Sequence, residues 1–347
     1  MKNYGKIASA LIGATMVLGI MGVTAFAAER TQRTEELNLQ TDEYKIDQSN
    51  EDEGWSWDAD TATLTLDSVD FSVNNGGCIK IPYDRDVTFI LNGENNLKTS
   101  GLSGQATIYS YSYDKDCAAK LIIKGEGILN MMVDTTEMNF EYPVIDVVNL
   151  ILEEGTINAE GGAIMVMNTI EIKGGTCNVK NTPDYGLYAV NEIKISSGEV
   201  NVEDVESVGM FVTGATSYTM SEEGILITGG NIKVSGKTAA MYTGSNIYDG
   251  VKDIIIMIGD DDKIEILDSK FGIYVNNGDI KIQNGNIKFD NVNEPIKMKD
   301  ESEGNIDIEK ADYSKIEELI ESIPENLDEY TEESVENLKK ALEAVEK

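Results

Sequence analysis

The chain has 347 residues, 62 acidic against 28 basic side chains, a net charge of −34, three cysteines and no histidine. That balance argues against nucleic acid, anionic membranes and free polyanionic glycans as partners, because like charges oppose approach unless cations bridge them. The missing histidine removes imidazole-activated serine and cysteine triads and histidine-ligated zinc.

Residues 1–28 begin with Lys2 and Lys6, continue as an apolar run from Ile7 to Val23 and end in Ala25-Phe-Ala-Ala28. This is the pattern of a secretory signal with a small-residue cleavage site, favoured over the alternative of a transmembrane anchor by Gly13, Gly19, Gly22 and the Ala-x-Ala end, so the protein is expected outside the cell, with no membrane insertion after signal removal. No cysteine stands at the end of the signal and the C-terminus carries no wall-sorting pattern, so attachment to a surface is expected to be noncovalent. Residues 29–53 are polar and acid-rich, which reads as a flexible leader or a first cap. Gly54-Trp-Ser-Trp-Asp-Ala-Asp-Thr-Ala-Thr-Leu-Thr-Leu66 then reads as a hairpin, with Asp58-Ala-Asp-Thr61 at its turn and the Trp55/Trp57 pair packed on the first coil.

From there a segment recurs: Ile170-Glu-Ile-Lys-Gly-Gly-Thr-Cys-Asn-Val179, Ile193-Lys-Ile-Ser-Ser-Gly-Glu-Val-Asn-Val202, Ile225-Leu-Ile-Thr-Gly-Gly-Asn-Ile-Lys-Val234 and Ile280-Lys-Ile-Gln-Asn-Gly-Asn-Ile-Lys-Phe289. A variant at Ile254–Ile266 carries Asp262 at the glycine position, and weaker copies begin near Leu64, Val87, Leu121 and Leu150. The spacing is too short for βαβ units and suits solenoid coils, each of which needs its neighbours to cover its apolar face. Alternation within the copies, as in Val200-Asn201-Val202, is that of half-buried strands. Residues 54–310 are therefore expected to form an all-β solenoid, a right-handed parallel β-helix of about nine coils. The handedness rests on the general rule for parallel crossovers.

Residues 311–347 change period: Tyr313 to Ile323 and Thr331 to Val345 carry apolar residues at helical spacing, broken at Pro324 and Asp328. They predict a two-helix hairpin that caps the last coil or docks to a protein partner.

The opening from Gly54 to Leu66, followed by glycine-marked coils, resembles secreted Gram-positive β-helix proteins grouped as carbohydrate-binding-domain proteins, over residues 54 to 310. The resemblance implies a noncatalytic, calcium-binding β-helix that attaches to plant cell-wall polysaccharide. It does not carry over to individual calcium ligands. The segment from Tyr313 through Tyr330-Thr-Glu-Glu-Ser-Val-Glu-Asn-Leu-Lys-Lys-Ala-Leu-Glu-Ala344 looks like the first half of a FIVAR module, a helical repeat of Gram-positive surface proteins, with the second half missing.

The residues themselves offer two binding columns. If Leu187 and Ala189 point inward, Tyr188 points outward, and the same register places Phe211, Tyr242 and Tyr274 above it as a candidate glycan platform; the alternative use is self-stacking. A second outward column runs Asn130, Asn158, Asn178, Asn201 and continues as Lys233, Glu265 and Lys288. Asn178 and Asn201 can meet sugar hydroxyls, or the amides can bond to one another as a ladder. Candidate calcium turns are Asp84-Arg-Asp86, Asp114-Lys-Asp116 and Asp260-Asp-Asp262, of which Asp260, Asp261 and Asp262 form the most acidic run. Cys177 aligns with Val200 and is expected in the core, whereas Cys78 and Cys117 can face each other on adjacent coils. Pectate-lyase and polygalacturonase constellations are absent from the sequence, so no catalytic residue is assigned. The expected partner is a polysaccharide; the competing reading is a surface adhesin or spacer that binds proteins.

Overall fold

The computed structural model describes residues 30–101, 105–110, 118–134, 142–214, 223–244, 252–283, 286–299 and 306–309. The signal over 1–28 and the helical hairpin over 311–347 lie outside these residues, as do Cys117 and Asp114–Asp116.

The described chain is all β, stacked in parallel register, and each coil lays down three strands. In the coil built on the Ile170 copy these are Thr169–Ile172, Thr176–Thr182 and Tyr185–Ala189, which form its first, second and third faces. The next coil repeats them as Glu192–Ile195, Glu199–Val205 and Val208–Val212, paired strand for strand. Nine coils follow one another, starting at Thr63, Val87, Lys120, Asn149, Thr169, Glu192, Glu223, Asp253 and Ile280, and Ile306–Glu309 begins a further first-face strand. The first faces make a 12-stranded sheet together with the cap strands. The second and third faces form one 17-stranded sheet, because Lys263–Val275 and Ile287–Met298 run unbroken around the corner between them.

Alternation turns every second residue inward, and stacking aligns those residues into columns. On the first face Leu64, Phe89, Ile123, Leu152, Ile172, Ile195, Ile227, Ile256 and Ile282 follow in register, all buried. On the second, Ile157, Cys177 and Val200 are consecutive rungs, so Cys177 is a core residue; burial pushes its thiol up to about 12. Cys78 is also a buried, free thiol and is pushed up to about 11, chiefly by burial.

The corners demand unusual backbone. Gly155, Gly175, Gly198 and Gly230 turn from first to second face with positive φ, and they stack so closely that a Cβ on Gly175 would lie 2.4 Å from the Gly155 carbonyl oxygen. Only glycine fits there. At the corner from second to third face the left-handed residues are Asn181, Asp204, Asp268 and Asn291, side chains that tolerate that region. Asn291 Nδ2 donates to Asp268 Oδ1 at 2.6 Å across two coils.

The segment 30–53 builds the cap at the N-terminal end. Leu37–Asn38 pairs in parallel with Ile79–Lys80 of the first coil, and Gln48–Asn50 pairs antiparallel with Trp55–Asp58, which pairs in turn with Thr63–Asp67. Leu37, Leu39, Tyr44, Trp55 and Trp57 are buried, and Trp57 Nε1 donates to the Tyr44 carbonyl at 2.8 Å. The apolar residues scattered through an acidic segment cover the core where a solenoid otherwise ends open.

Candidate functional site

The outward side of the second face is a regular polar lattice. Residues at i, i+2 and i+4 of each strand point to solvent, as in Thr156, Asn158 and Glu160, with Thr176, Asn178 and Lys180 in register on the next coil. Their middle column is a hydrogen-bonded amide ladder. Asn130 Nδ2 donates to Asn96 Oδ1 at 2.9 Å, Asn158 to Asn130 at 2.7 Å, Asn178 to Asn158 at 2.7 Å and Asn201 to Asn178 at 2.9 Å. Asn96, the first rung, was not singled out by sequence because its strand lacks the glycine-marked repeat. Beyond Asn201 the column changes chemistry to Lys233, Glu265 and Lys288, in the register expected.

The ladder floors a groove of about 850 Å³ that runs from Gln32 and Asp70 past Asn96, Asn130, Asn158, Asn178 and Asn201 to Lys233. Its charges balance: Asp70, Glu160 and Glu203 face Lys98, Lys180 and Lys233. The three lysines are already paired, Lys98 with Asp134 at 3.2 Å, Lys180 with Glu160 at 3.4 Å and Lys233 with Glu203. Within a chain of net charge −34 this is an electrically quiet surface.

The aromatic column lies on the third face. Tyr188, Phe211, Tyr242 and Tyr274 are consecutive rungs, preceded by Met165 and followed by Lys297. Leu187 and Ala189 are fully buried on the inner side, as the alternation requires. Phe211 and Tyr242 stack at 5.0 Å and 20°, and Tyr242 and Tyr274 at 4.8 Å and 12°. Tyr188 meets Phe211 edge-on at 5.6 Å. Tyr185 and Phe271 close the cluster from the side, and Phe211 is left 9% exposed. The faces of the stacked rings are therefore turned to one another, and they present mostly edges to solvent. The two candidate columns stand on different faces of the solenoid, so they do not form one site.

Asp260, Asp261 and Asp262 lie in the turn before Lys263–Val275. Asp262 accepts the Gly230 N–H through Oδ1 at 2.8 Å and the Gly259 N–H through Oδ2 at 2.9 Å. Both of its oxygens serve the turn, which leaves two carboxylates where calcium takes six to eight oxygens, so this turn alone does not fit a calcium cage. Asp86 Oδ1 accepts the Lys120 N–H at 3.0 Å. Among the described residues no cluster of three or more acidic or thiol groups is arranged to hold a metal ion.

Two titratable features escaped the sequence reading because they arise from coils far apart in the chain. Lys252 is 5% exposed and donates from Nζ to Asn191 Oδ1 at 2.9 Å, 61 residues away. Burial lowers its pKa against the pull of nearby Glu192, while burial raises that of Glu192, with Glu223 adding to the rise and Lys194 opposing it. On the third face Asp146 stands between Tyr109 and Met165, and burial raises its carboxyl to about 6.

Compared with known families, curated proteins and solved structures, the chain matches none. The assignment of function therefore rests on the residues and geometry above.

Proposed function

We propose that the chain is a secreted, noncatalytic carbohydrate-binding protein, a right-handed parallel β-helix that holds a polysaccharide against the second face. The observation that carries this reading is the groove over the amide ladder. A rigid stack of strands presents primary amides at a spacing of ~4.8 Å, close to the length of one sugar unit, and amides both donate and accept, as sugar hydroxyls do. The balanced charges of its walls, with all three lysines ion-paired, favour a neutral chain, in keeping with the strongly acidic remainder of the surface.

This reading assigns no catalytic residue. Of the groove's acids, Glu160 and Glu203 are held by Lys180 and Lys233, and Asp70 accepts from Gln32 Nε2 at 3.0 Å. The calcium assistance expected from the sequence is tested by the chelator arm of the binding experiment.

The second reading is a surface adhesin or spacer that binds protein. The exterior cluster of Tyr185, Tyr188, Phe211, Tyr242, Phe271 and Tyr274 favours it, since such a patch on an acidic rod offers an apolar contact.

The test is affinity electrophoresis through gels containing hydroxyethyl cellulose, xylan, glucomannan or polygalacturonate, each with calcium and with chelator. Retardation by a neutral polymer supports the reading. Unchanged mobility in every gel moves the assignment to the protein-binding alternative, and retardation lost in chelator would give the acidic turns a role in binding.

A further inference from the structure

The five rungs of the ladder are chemically unequal. Asn130 spends both Nδ2 hydrogens, on Asn96 Oδ1 and on Glu94 Oε1 at 3.0 Å. Asn201 does the same at the other end, donating to Asn178 Oδ1 and to Glu199 Oε1 at 2.9 Å. Asn158 and Asn178 each donate one hydrogen within the ladder and keep the other. Beside them, in register on the same two coils, Thr156 and Thr176 point outward, and neither hydroxyl is engaged by a protein partner among the described residues. Uncommitted donors and acceptors therefore concentrate on two adjacent coils: the amides of Asn158 and Asn178 floor the middle of the groove, and the hydroxyls of Thr156 and Thr176 flank the ladder on the edge opposite Glu160 and Lys180, just outside the groove lining.

Resting on the carbohydrate-binding reading, we infer that Thr156, Asn158, Thr176 and Asn178 form the specificity-determining centre for a neutral polysaccharide chain that lies along the solenoid axis. The axial direction follows from the stacking: the open groups are one coil apart, and the groove continues from the first coil to the seventh, a length of roughly 30 Å at the usual strand spacing. That length suits several sugar units in an extended chain rather than a single sugar. Neutrality follows from the walls, where no lysine is left to meet a carboxylate because Lys98, Lys180 and Lys233 are all ion-paired. The charged continuation Lys233, Glu265 and Lys288 closes the site, since Lys233 binds Glu203, Lys263 binds Glu265 and Lys288 binds Asp290.

The test compares wild type with Thr156→Val/Thr176→Val, which removes two hydroxyls without touching the ladder, in gels of the same three neutral polymers and of polygalacturonate. Asn149→Ala, at a different corner, controls for stability: its amide bonds the Ala118 and Ala119 carbonyls and accepts from Asn168, away from the groove. The expected result is a roughly tenfold weaker interaction of the valine variant with the retained neutral polymer, the size of two lost hydrogen bonds, at unchanged thermal stability. The Asn149 variant should unfold earlier and bind as wild type does. Equal retention of the valine variant and wild type, or a preference for polygalacturonate, overturns this inference while leaving carbohydrate binding intact. Failure of wild type to be retained by any polymer overturns the carbohydrate reading itself, and this inference with it.

Discussion

The carboxylate of Asp262 accepts the backbone N–H of Gly230, one coil earlier, at 2.8 Å. Asp262 occupies the place that Gly230, Gly198 and Gly175 fill on successive coils, and its side chain performs what the glycine backbone does elsewhere: it joins one turn to the next. The second oxygen holds the Gly259 N–H and so closes its own turn.

Asp262→Ala removes both charge-assisted acceptors and leaves two amide donors to water. It should destabilise the fold by about 2 kcal/mol, measured by urea denaturation, whereas Asp262→Asn keeps one acceptor and loses less. Equal stability of the alanine variant and wild type would show that the turn does not depend on the carboxylate.

Asp146 offers a pH test. Its folded pKa, about 6, lies above the ordinary value of 3.8 because burial penalises the charged carboxylate. A raised acid pKa in the folded state means that the folded protein holds the proton longer than the unfolded chain. The group is therefore neutral to stability below 3.8, and its cost grows as pH rises from there through about 6. Asp146→Asn, uncharged throughout, should match wild type near pH 3.5 and exceed it near pH 7 by on the order of 2 kcal/mol. Denaturation curves at the two pH values read this directly, and a constant difference would contradict it.

Tyr242 is stacked on both sides, by Phe211 and Tyr274. Tyr242→Ala should cost about 3 kcal/mol or more of stability through lost aromatic burial and two ring pairs. Retention by polysaccharide should persist in the folded variant. Loss of retention with an unchanged melting temperature would transfer the glycan site to the third face.

The two buried thiols supply a check on the stack itself. In a Cys117→Ser background, Cys78 and Cys177 should resist an aromatic disulfide reagent at pH 8, since burial holds both well above the pH at which thiolate forms. Both should react in denaturant. Rapid reaction of Cys177 in the native protein would place it outside the core column between Ile157 and Val200.

Much of this architecture is legible in the sequence, because a strand period of two and a recurring glycine are local properties. The coil starts near Leu64, Val87, Leu121, Leu150, Ile170, Ile193, Ile225, Ile254 and Ile280 follow from them, as do the inward positions of Leu187 and Ala189 and the rungs Tyr188, Phe211, Tyr242 and Tyr274. The segment 30–53 stayed open between leader and cap, since Leu37, Leu39 and Tyr44 find their cover only on the end of a coil formed later in the chain.

The sequence alone determined that the chain must stack, because each short alternating strand leaves an apolar face that only another copy can cover. It also placed both outward columns in the correct register. Which polar and aromatic groups each column leaves open was decided by the tertiary structure. Ring faces turned toward one another are spent on stacking, whereas Asn158 and Asn178 keep a donor because their ladder is locked only at Asn130 and Asn201. Lys252 beside Asn191, and the paired lysines that leave the groove neutral, depend likewise on residues brought together from separate coils, where the distance along the chain carries no information about the distance in space.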